Sequence, residues 1–199
     1  MEVRRVPAGV YAANCYILMD EETKEAAVMD PGGDADDLSK VIKEMGAKVK
    51  YILLTHGHVD HVGAVTELKD EFKAPVYINE EDYKMISNRE YIYGDIIGKV
   101  DGYINEGDSF KLGSSEIKVL QTPGHTPGGV CFLVDNMVIT GDTLFAGSIG
   151  RTDLGGGDYE AIIRSIKEKL MILPDDTIVL SGHGGQSTIG RERVHNPFL

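Results

Sequence analysis

Cysteine is scarce, two in 199 residues, and each sits in an apolar run: Cys15 in Cys15-Tyr16-Ile17-Leu18 and Cys131 in Val130-Cys131-Phe132-Leu133-Val134. That usage argues against a disulfide framework and reads as two buried core thiols. Long apolar runs are missing as well. No stretch approaches the roughly 20 residues of a membrane span, and Met1-Glu2-Val3-Arg4-Arg5-Val6-Pro7 lacks the apolar core of a signal peptide. A soluble, cytoplasmic protein with no membrane partner is expected. Positive charge is short too: 20 Lys and Arg stand against 32 Asp and Glu, a formal net charge of -12, with no basic cluster. Such a surface gains little from counterion release on a polyanion, so nucleic acid is not an expected partner. Linkers, long low-complexity runs and short-period repeats are absent. With 42% hydrophobic residues, residues 1–199 are expected to form a single domain around one sizeable core.

Against these absences stands one dense stretch. Thr55-His56-Gly57-His58-Val59-Asp60-His61 holds three of the six histidines. It follows the apolar run Tyr51-Ile52-Leu53-Leu54 and precedes Val62, Val65, Leu68 and Phe72, spaced like the inner face of a helix. In a strand-to-helix turn His56 and His58 can point at one ion while Asp60 and His61 face a second. Imidazole nitrogens with a hard carboxylate suit zinc, iron or manganese better than calcium or magnesium. A solvated polar loop is the bland reading, and it does not account for this density of ligand types.

The surrounding pattern places the stretch. Strand-like runs fall at 3–6, 14–19 and 26–29, then a helix at 34–46, a strand at 50–54, a helix at 62–72, a strand at 75–78 and a short helix at 80–87. Residues 88–107 are read as a loop over the site. Hairpins are expected from 110–112 with 117–120 and from 130–134 with 137–140. A glycine-rich loop at 141–157, a helix at 159–173 and a strand at 176–180 complete the chain. Strands with interspersed helices in both halves fit two packed sheets with helices outside.

Three further ligand-type residues stand just after strands and beside glycine: His125 in Pro123-Gly124-His125-Thr126-Pro127, Asp142 in Thr140-Gly141-Asp142-Thr143, and His183 in Ser181-Gly182-His183-Gly184. Singly, each is ordinary turn chemistry; with the first stretch they make a set. His56, His58 and His125 can supply three nitrogens to one ion, Asp60, His61 and His183 three ligands to another, and Asp142 can bridge. Each ion keeps room for a shared water, as catalytic sites do. His195 has no place in this count and reads as structural or exposed.

These residues resemble the metallo-β-lactamase superfamily, whose hallmark is Thr-His-x-His-x-Asp-His followed by a histidine, an aspartate and a histidine in this order. The chain looks closest to the small bacterial glyoxalase II-like (hydroxyacylglutathione hydrolase-like) hydrolases. Asn14-Cys15-Tyr16, Gly141-Asp142-Thr143-Leu144-Phe145, Gly150-Arg151-Thr152-Asp153 and Thr188-Ile189-Gly190-Arg191-Glu192-Arg193 carry that likeness. It implies an α+β fold, a four-layer αβ/βα sandwich of two mixed sheets, with a two-metal site and hydrolysis of a thioester such as S-lactoylglutathione. True β-lactamases of the best-known two-metal type carry cysteine where Asp142 stands, which argues against antibiotic hydrolysis. Longer relatives carry lysine where Arg151 stands and tyrosine where Asp153 stands, so a thiol-bearing substrate in general is expected over glutathione in particular.

The expected chemistry is metal-assisted hydrolysis. Two divalent ions, zinc foremost, with iron or manganese also suited, lower the pKa of a shared water from 15.7 toward roughly 7, giving a hydroxide nucleophile at neutral pH. Asp60 is the candidate catalytic residue, a ligand that also orients that hydroxide. Arg151 is read as holding a substrate carboxylate or, equally, as a structural salt bridge. The alternative is a persulfide dioxygenase with a single iron on His56, His125 and Asp142. A binding module on an inherited fold is disfavoured, because all seven ligands are present. The sequence is silent on oligomeric state.

Overall fold

The computed structural model describes residues 1–199. Its first sheet begins with three strands, β1 (Glu2–Ala8), β2 (Ala13–Met19) and β3 (Glu25–Met29), paired antiparallel from Glu2↔Met19 to Ala8↔Ala13 and from Tyr16↔Met29 to Met19↔Ala26. From β3 onward the strands run parallel: β4 (Lys48–Leu53), β5 (Val76–Ile78) and β6 (Gly102–Tyr103) follow in order. Parallel neighbours need crossovers, and helices supply them. Helix α1 (Ala35–Glu44) joins β3 to β4, α2 (Val59–Val62) and α3 (Val65–Phe72) join β4 to β5, and α4 (Glu80–Ser87) leads toward β6.

The second sheet is a meander of β7 (Ser109–Leu112), β8 (Ser115–Gln121), β9 (Val130–Val134) and β10 (Met137–Gly141). After the small hairpin β11 (Leu144–Phe145) and β12 (Ser148–Ile149) comes α5 (Tyr159–Ser165), then β13 (Ile178–Ser181), which lies parallel to β10. A two-residue strand, β14 (Ser187–Thr188), and α6 (Ile189–His195) close the chain. Both sheets are mixed.

Strand alternation sorts the apolar residues into layers. Tyr16, Leu18, Met29 and Leu53 of the first sheet meet Ile117, Val119, Phe132 and Ile139 of the second. The other face of the first sheet, with Ile17, Val28 and Ile52, packs on Leu38, Ile42, Val65 and Leu68 of the helices. Behind the second sheet, Cys131, Val138 and Val179 pack on Ile162, Ile166 and Leu170. Buried on both faces, β2 is apolar along most of its length. Emptying the inter-sheet layer by Phe132→Ala would cost about 3–5 kcal/mol. The result is the expected αβ/βα sandwich.

Five segments differ from the pattern read in the sequence. The helix expected at 62–72 is broken at Gly63-Ala64, because the chain after β3 packs into it. A Cβ on Gly63 would fall 2.5 Å from the Gly32 carbonyl oxygen, and Ala64 donates its N–H to the Pro31 carbonyl at 2.9 Å. The helix expected at 159–173 is α-helical only to Ser165 and then widens into a π-helical turn, Ile166–Leu170, with Arg193 of α6 donating to the Met171 and Leu173 carbonyls beyond it. The loop at 88–107 adds β6 to the sheet edge, and the loop at 141–157 contains the β11–β12 hairpin. Helix α6 had no apolar stripe to announce it and carries Gly190; the Thr188 side chain accepts from Arg191 N–H at its start. No helix is long and apolar enough to cross a membrane.

Candidate metal centre

All seven ligand-type residues stand where strands end. The Thr55–His61 turn follows β4, His125 follows β8, Asp142 follows β10 and His183 follows β13. Ligand atoms of His56, His58 and His125 lie within 4.8 Å of one another, and those of Asp60, His61 and His183 do the same. Asp142 stands between the triads. Its Oδ1 is 3.4 Å from His61 Nε2, and its Oδ2 is 3.6 Å from both His125 Nε2 and His183 Nε2. His195 is exposed at the end of α6, away from this cluster.

The donor set passes a test of fit. His56 Nε2, His58 Nε2, His61 Nε2 and Asp142 Oδ1 are buried and have no hydrogen-bond partner. An unpaired buried polar atom costs about 1–3 kcal/mol, and so many side by side are unusual unless a cation takes their lone pairs. His58 Nδ1 and His125 Nε2 face each other at 3.0 Å. Imidazole and carboxylate donors of this kind fit divalent transition metals.

Protonation divides the site. Burial, reinforced by neighbouring imidazoles, pushes His56 well down and His58 down to about 3, so both offer neutral nitrogens. Burial also lowers His125, with Asp142 opposing. The other triad goes the opposite way. Against burial, Asp142 and Asp30 hold His61 well above the usual imidazole range, and the hydrogen bond to Asp60 raises His183. Against burial, the same contacts pull Asp60 down and Asp142 down to about 2. Burial thus favours neutral imidazoles in one triad, while the carboxylates beside the other favour its charged forms.

Buried polar groups from other elements fix these loops. Asp30, at the end of β3, accepts from Thr55 N at 2.7 Å, Thr55 Oγ1 at 2.6 Å and His61 Nδ1 at 3.0 Å. With its oxygens so occupied it orients His61, although it also lies near His56 and His61 as a third acid-histidine group. Asn14 Nδ2 donates to the Ser181 and Gly184 carbonyls, and Tyr16 Oη to Ser181, which explains the Asn14-Cys15-Tyr16 segment as a clamp on the His183 loop. Asp82, in the first turn of α4, accepts from Gly57 N at 2.8 Å and Gly128 N at 2.7 Å, tying the His56/His58 turn to the His125 loop. The His125 Nδ1–H donates to the Arg151 carbonyl at 2.7 Å. Glu192 of α6 accepts from Gly147 N, Ser187 Oγ and Asn196 Nδ2, anchoring the β11–β12 hairpin beside the site. The closeness of approach shows at Gly182, where a Cβ would fall 2.3 Å from Asp142 Oδ1.

Asp30 and Asp82 were not among the residues singled out by sequence. Asp30 had a signal, since Asp30-Pro31-Gly32 does more than stop a strand; Asp82 looked like an ordinary helix-start acid.

The centre opens into a cavity of ≈ 750 Å³ that includes His58, Asp60, His125, Asp142 and His183 on its floor. Tyr11, Val59, Tyr91, Phe145 and Leu154 make its walls largely apolar. Tyr91 and Ile92 come from the loop at 88–107, which is held to the ligand turn by Val59 N–H to the Ile92 carbonyl and Gly94 N–H to the Gly57 carbonyl. Tyr93 packs edge-on to the His58 ring at 4.9 Å. Arg151 also lines the cavity, and its guanidinium pairs with Asp153 through two bonds of 2.7 Å. Cys15 and Cys131 are buried away from the ligand set, as their apolar runs implied.

Known proteins share this fold. Residues 8–183 match the metallo-beta-lactamase superfamily. Hydroxyacylglutathione hydrolase GloC of Haemophilus influenzae is 40% identical over 211 residues, covering 100% of this chain and 98% of that protein. The solved BLEG-1 B3 metallo-beta-lactamase superposes with a TM-score of 0.92 at 38% identity, covering 100% of this chain and 99% of that one. ETHE1 from Myxococcus xanthus gives 0.84 at 27% identity, covering 99% and 84%.

Proposed function

The chain belongs to the metallo-beta-lactamase superfamily, and from that premise we propose that it hydrolyses a small thioester with the help of two divalent metal ions. The observation that carries this reading is the pair of three-ligand groups with Asp142 between them, at the floor of an open cavity. His56, His58 and His125 would hold one ion, Asp60, His61 and His183 the other, and Asp142 would bridge. Zinc is the first expectation, with iron or manganese suited to the same donors. When bound, such ions polarise a carbonyl oxygen and lower the pKa of water.

The protein's own groups do the rest. Asp60 lines the cavity as a carboxylate held ionised by His183 at 3.2 Å, so it can accept a hydrogen bond from an attacking water and set its direction. The aromatic and aliphatic side chains of the wall lower the polarity around the reacting carbonyl. No buried acid is needed for the leaving group, because a thiol ionises near 8.5 and departs readily as thiolate. The likeness to GloC, a hydroxyacylglutathione hydrolase by name, supports the thioester class, and S-lactoylglutathione is the first compound to test. The substrate is read as a small molecule; an acidic chain with net charge -12 does not favour nucleic acid.

The test is turnover of a thioester panel by metal-loaded protein, with a chelated control and a β-lactam arm included because of the likeness to the BLEG-1 metallo-beta-lactamase. Chelator-sensitive thioester cleavage without oxygen consumption is expected. The ETHE1 likeness supports a second reading, an iron persulfide dioxygenase on His56, His125 and Asp142. Rapid oxygen uptake with glutathione persulfide, with thioesters inert, would replace the first reading by the second.

A further inference from the structure

Three of the ligand histidines have a polar neighbour that fixes the ring. Thr55 Oγ1 is 3.0 Å from His56 Nδ1, Asp30 Oδ2 is 3.0 Å from His61 Nδ1, and the Arg151 carbonyl accepts from His125 Nδ1 at 2.7 Å. Partners of this kind set the orientation of a metal-binding imidazole. His58 has none. Its Nδ1 faces His125 Nε2 at 3.0 Å, on the side where an ion would sit between them, and its Nε2 is buried without a hydrogen-bond partner. What meets His58 instead is the loop at 88–107. Tyr93 forms an isolated antiparallel bridge with His58, closed by Val59 N–H to the Ile92 carbonyl at 2.9 Å and Gly94 N–H to the Gly57 carbonyl at 3.0 Å, so the backbone is held on both sides of the ligand. The Tyr93 ring packs at 70° to the His58 ring, with centroids 4.9 Å apart.

The chain is shaped around that contact. A Cβ on Gly57, between the two histidines, would fall 3.0 Å from Tyr93 Cδ1, and one on Gly94 would fall 2.2 Å from Val62 Cγ2. Ile92, the residue before Tyr93, has a φ of +70°, a left-handed conformation that is costly for a β-branched residue and persists only where its surroundings enforce it. The Tyr93 hydroxyl, by contrast, is buried and unpaired, so it adds nothing to the fold that a phenyl ring would lack. We propose that the aromatic ring of Tyr93 is the positioning element for His58, doing by contact what a hydrogen bond does for the other three histidines, and that its hydroxyl is dispensable for this role. The proposal rests on the two-ion reading above and is independent of the substrate.

The experiment measures zinc affinity at both sites by chelator competition on the wild type, Tyr93→Phe and Tyr93→Leu, with the imidazole nitrogens of the zinc-loaded proteins followed by histidine-selective 15N NMR. Tyr93→Phe should keep both affinities within about twofold. Tyr93→Leu, which retains an apolar side chain but no ring, should weaken the ion at His56, His58 and His125 about tenfold and leave the ion at Asp60, His61 and His183 within about threefold. The His58 nitrogens should shift in Tyr93→Leu and hold their wild-type positions in Tyr93→Phe. Unchanged affinity in Tyr93→Leu, equal losses at the two sites, or a loss in Tyr93→Phe as large as in Tyr93→Leu overturns the proposal. A measurement on the wild type stands even if Tyr93→Leu does not fold: nuclear Overhauser contacts should join the Tyr93 and His58 ring protons in zinc-loaded protein, and their absence overturns the proposal without any variant. Wild type that binds no zinc brings down the two-ion reading and this role together, whereas two bound ions with Tyr93→Leu indifferent brings down the role of Tyr93 alone.

Discussion

Asp30 Oδ2 meets His61 Nδ1 at 3.0 Å, and this contact decides which nitrogen of His61 faces the metal centre. With Nδ1 turned to Asp30, Nε2 is the nitrogen that faces Asp142 Oδ1, at 3.4 Å, and would face a metal. Asp30 holds Thr55 at the same time, so one buried carboxylate sets both ends of the ligand turn.

Replacing Asp30 by asparagine puts an amide N–H where His61 needs an acceptor. Affinity for the metal held by Asp60, His61 and His183 should fall about 10–100-fold, while the other site is less affected. Competition with a chromophoric chelator measures both. Equal affinities in wild type and variant would remove the orienting role.

Asp142→Ala removes the side chain between the two triads. The variant should lose one or both ions on gel filtration, and thioester turnover should fall by more than about a hundredfold. Full turnover with depleted metal would show that Asp142 does not bridge.

Asp82 gives a pH dependence with a definite sign. Burial pushes its carboxyl up to about 6, against the N–H bonds from Gly128 and Gly57. The fold thus favours the protonated acid, and the stability Asp82 contributes is complete below the ordinary 3.8 and is lost as pH rises through about 6. Asp82→Ala should therefore destabilise metal-free protein more at about pH 5 than at about pH 7.5, the gap narrowing by one to a few kcal/mol as an order of magnitude. Urea denaturation at the two pH values checks this. A gap that widens with pH contradicts it.

Neither thiol is available for catalysis. Burial pushes Cys131 up to about 12 and Cys15 beyond the ordinary thiol range. Folded protein should react negligibly with an aromatic disulfide reagent at neutral pH, and two thiols per chain should appear on unfolding. Fast reaction of one thiol in the folded state would refute the inert assignment.

The strands and the ligand set were legible because each rests on a local signal. Tyr51-Ile52-Leu53-Leu54 and Val130-Cys131-Phe132-Leu133-Val134 are apolar runs that two covered faces require, and Thr55–His61 concentrates ligands in one turn. What escaped depends on contacts distant in sequence. The break at Gly63-Ala64 exists because Pro31 and Gly32 press into it, and α6 is held by Glu192 reaching Gly147 and Ser187. Asp82 matters through Gly57 and Gly128, neither of which marks a partner in sequence. Arg151 was readable only as a choice between substrate contact and salt bridge; the structure shows the bridge to Asp153, at the cavity wall where a substrate would pass.

Elemental analysis of purified, folded protein bears most directly on the whole account. Two divalent transition-metal ions per chain are expected, with that count lowered in Asp142→Ala. Folded wild-type protein that binds no transition metal, even after incubation with zinc, iron or manganese, would contradict it.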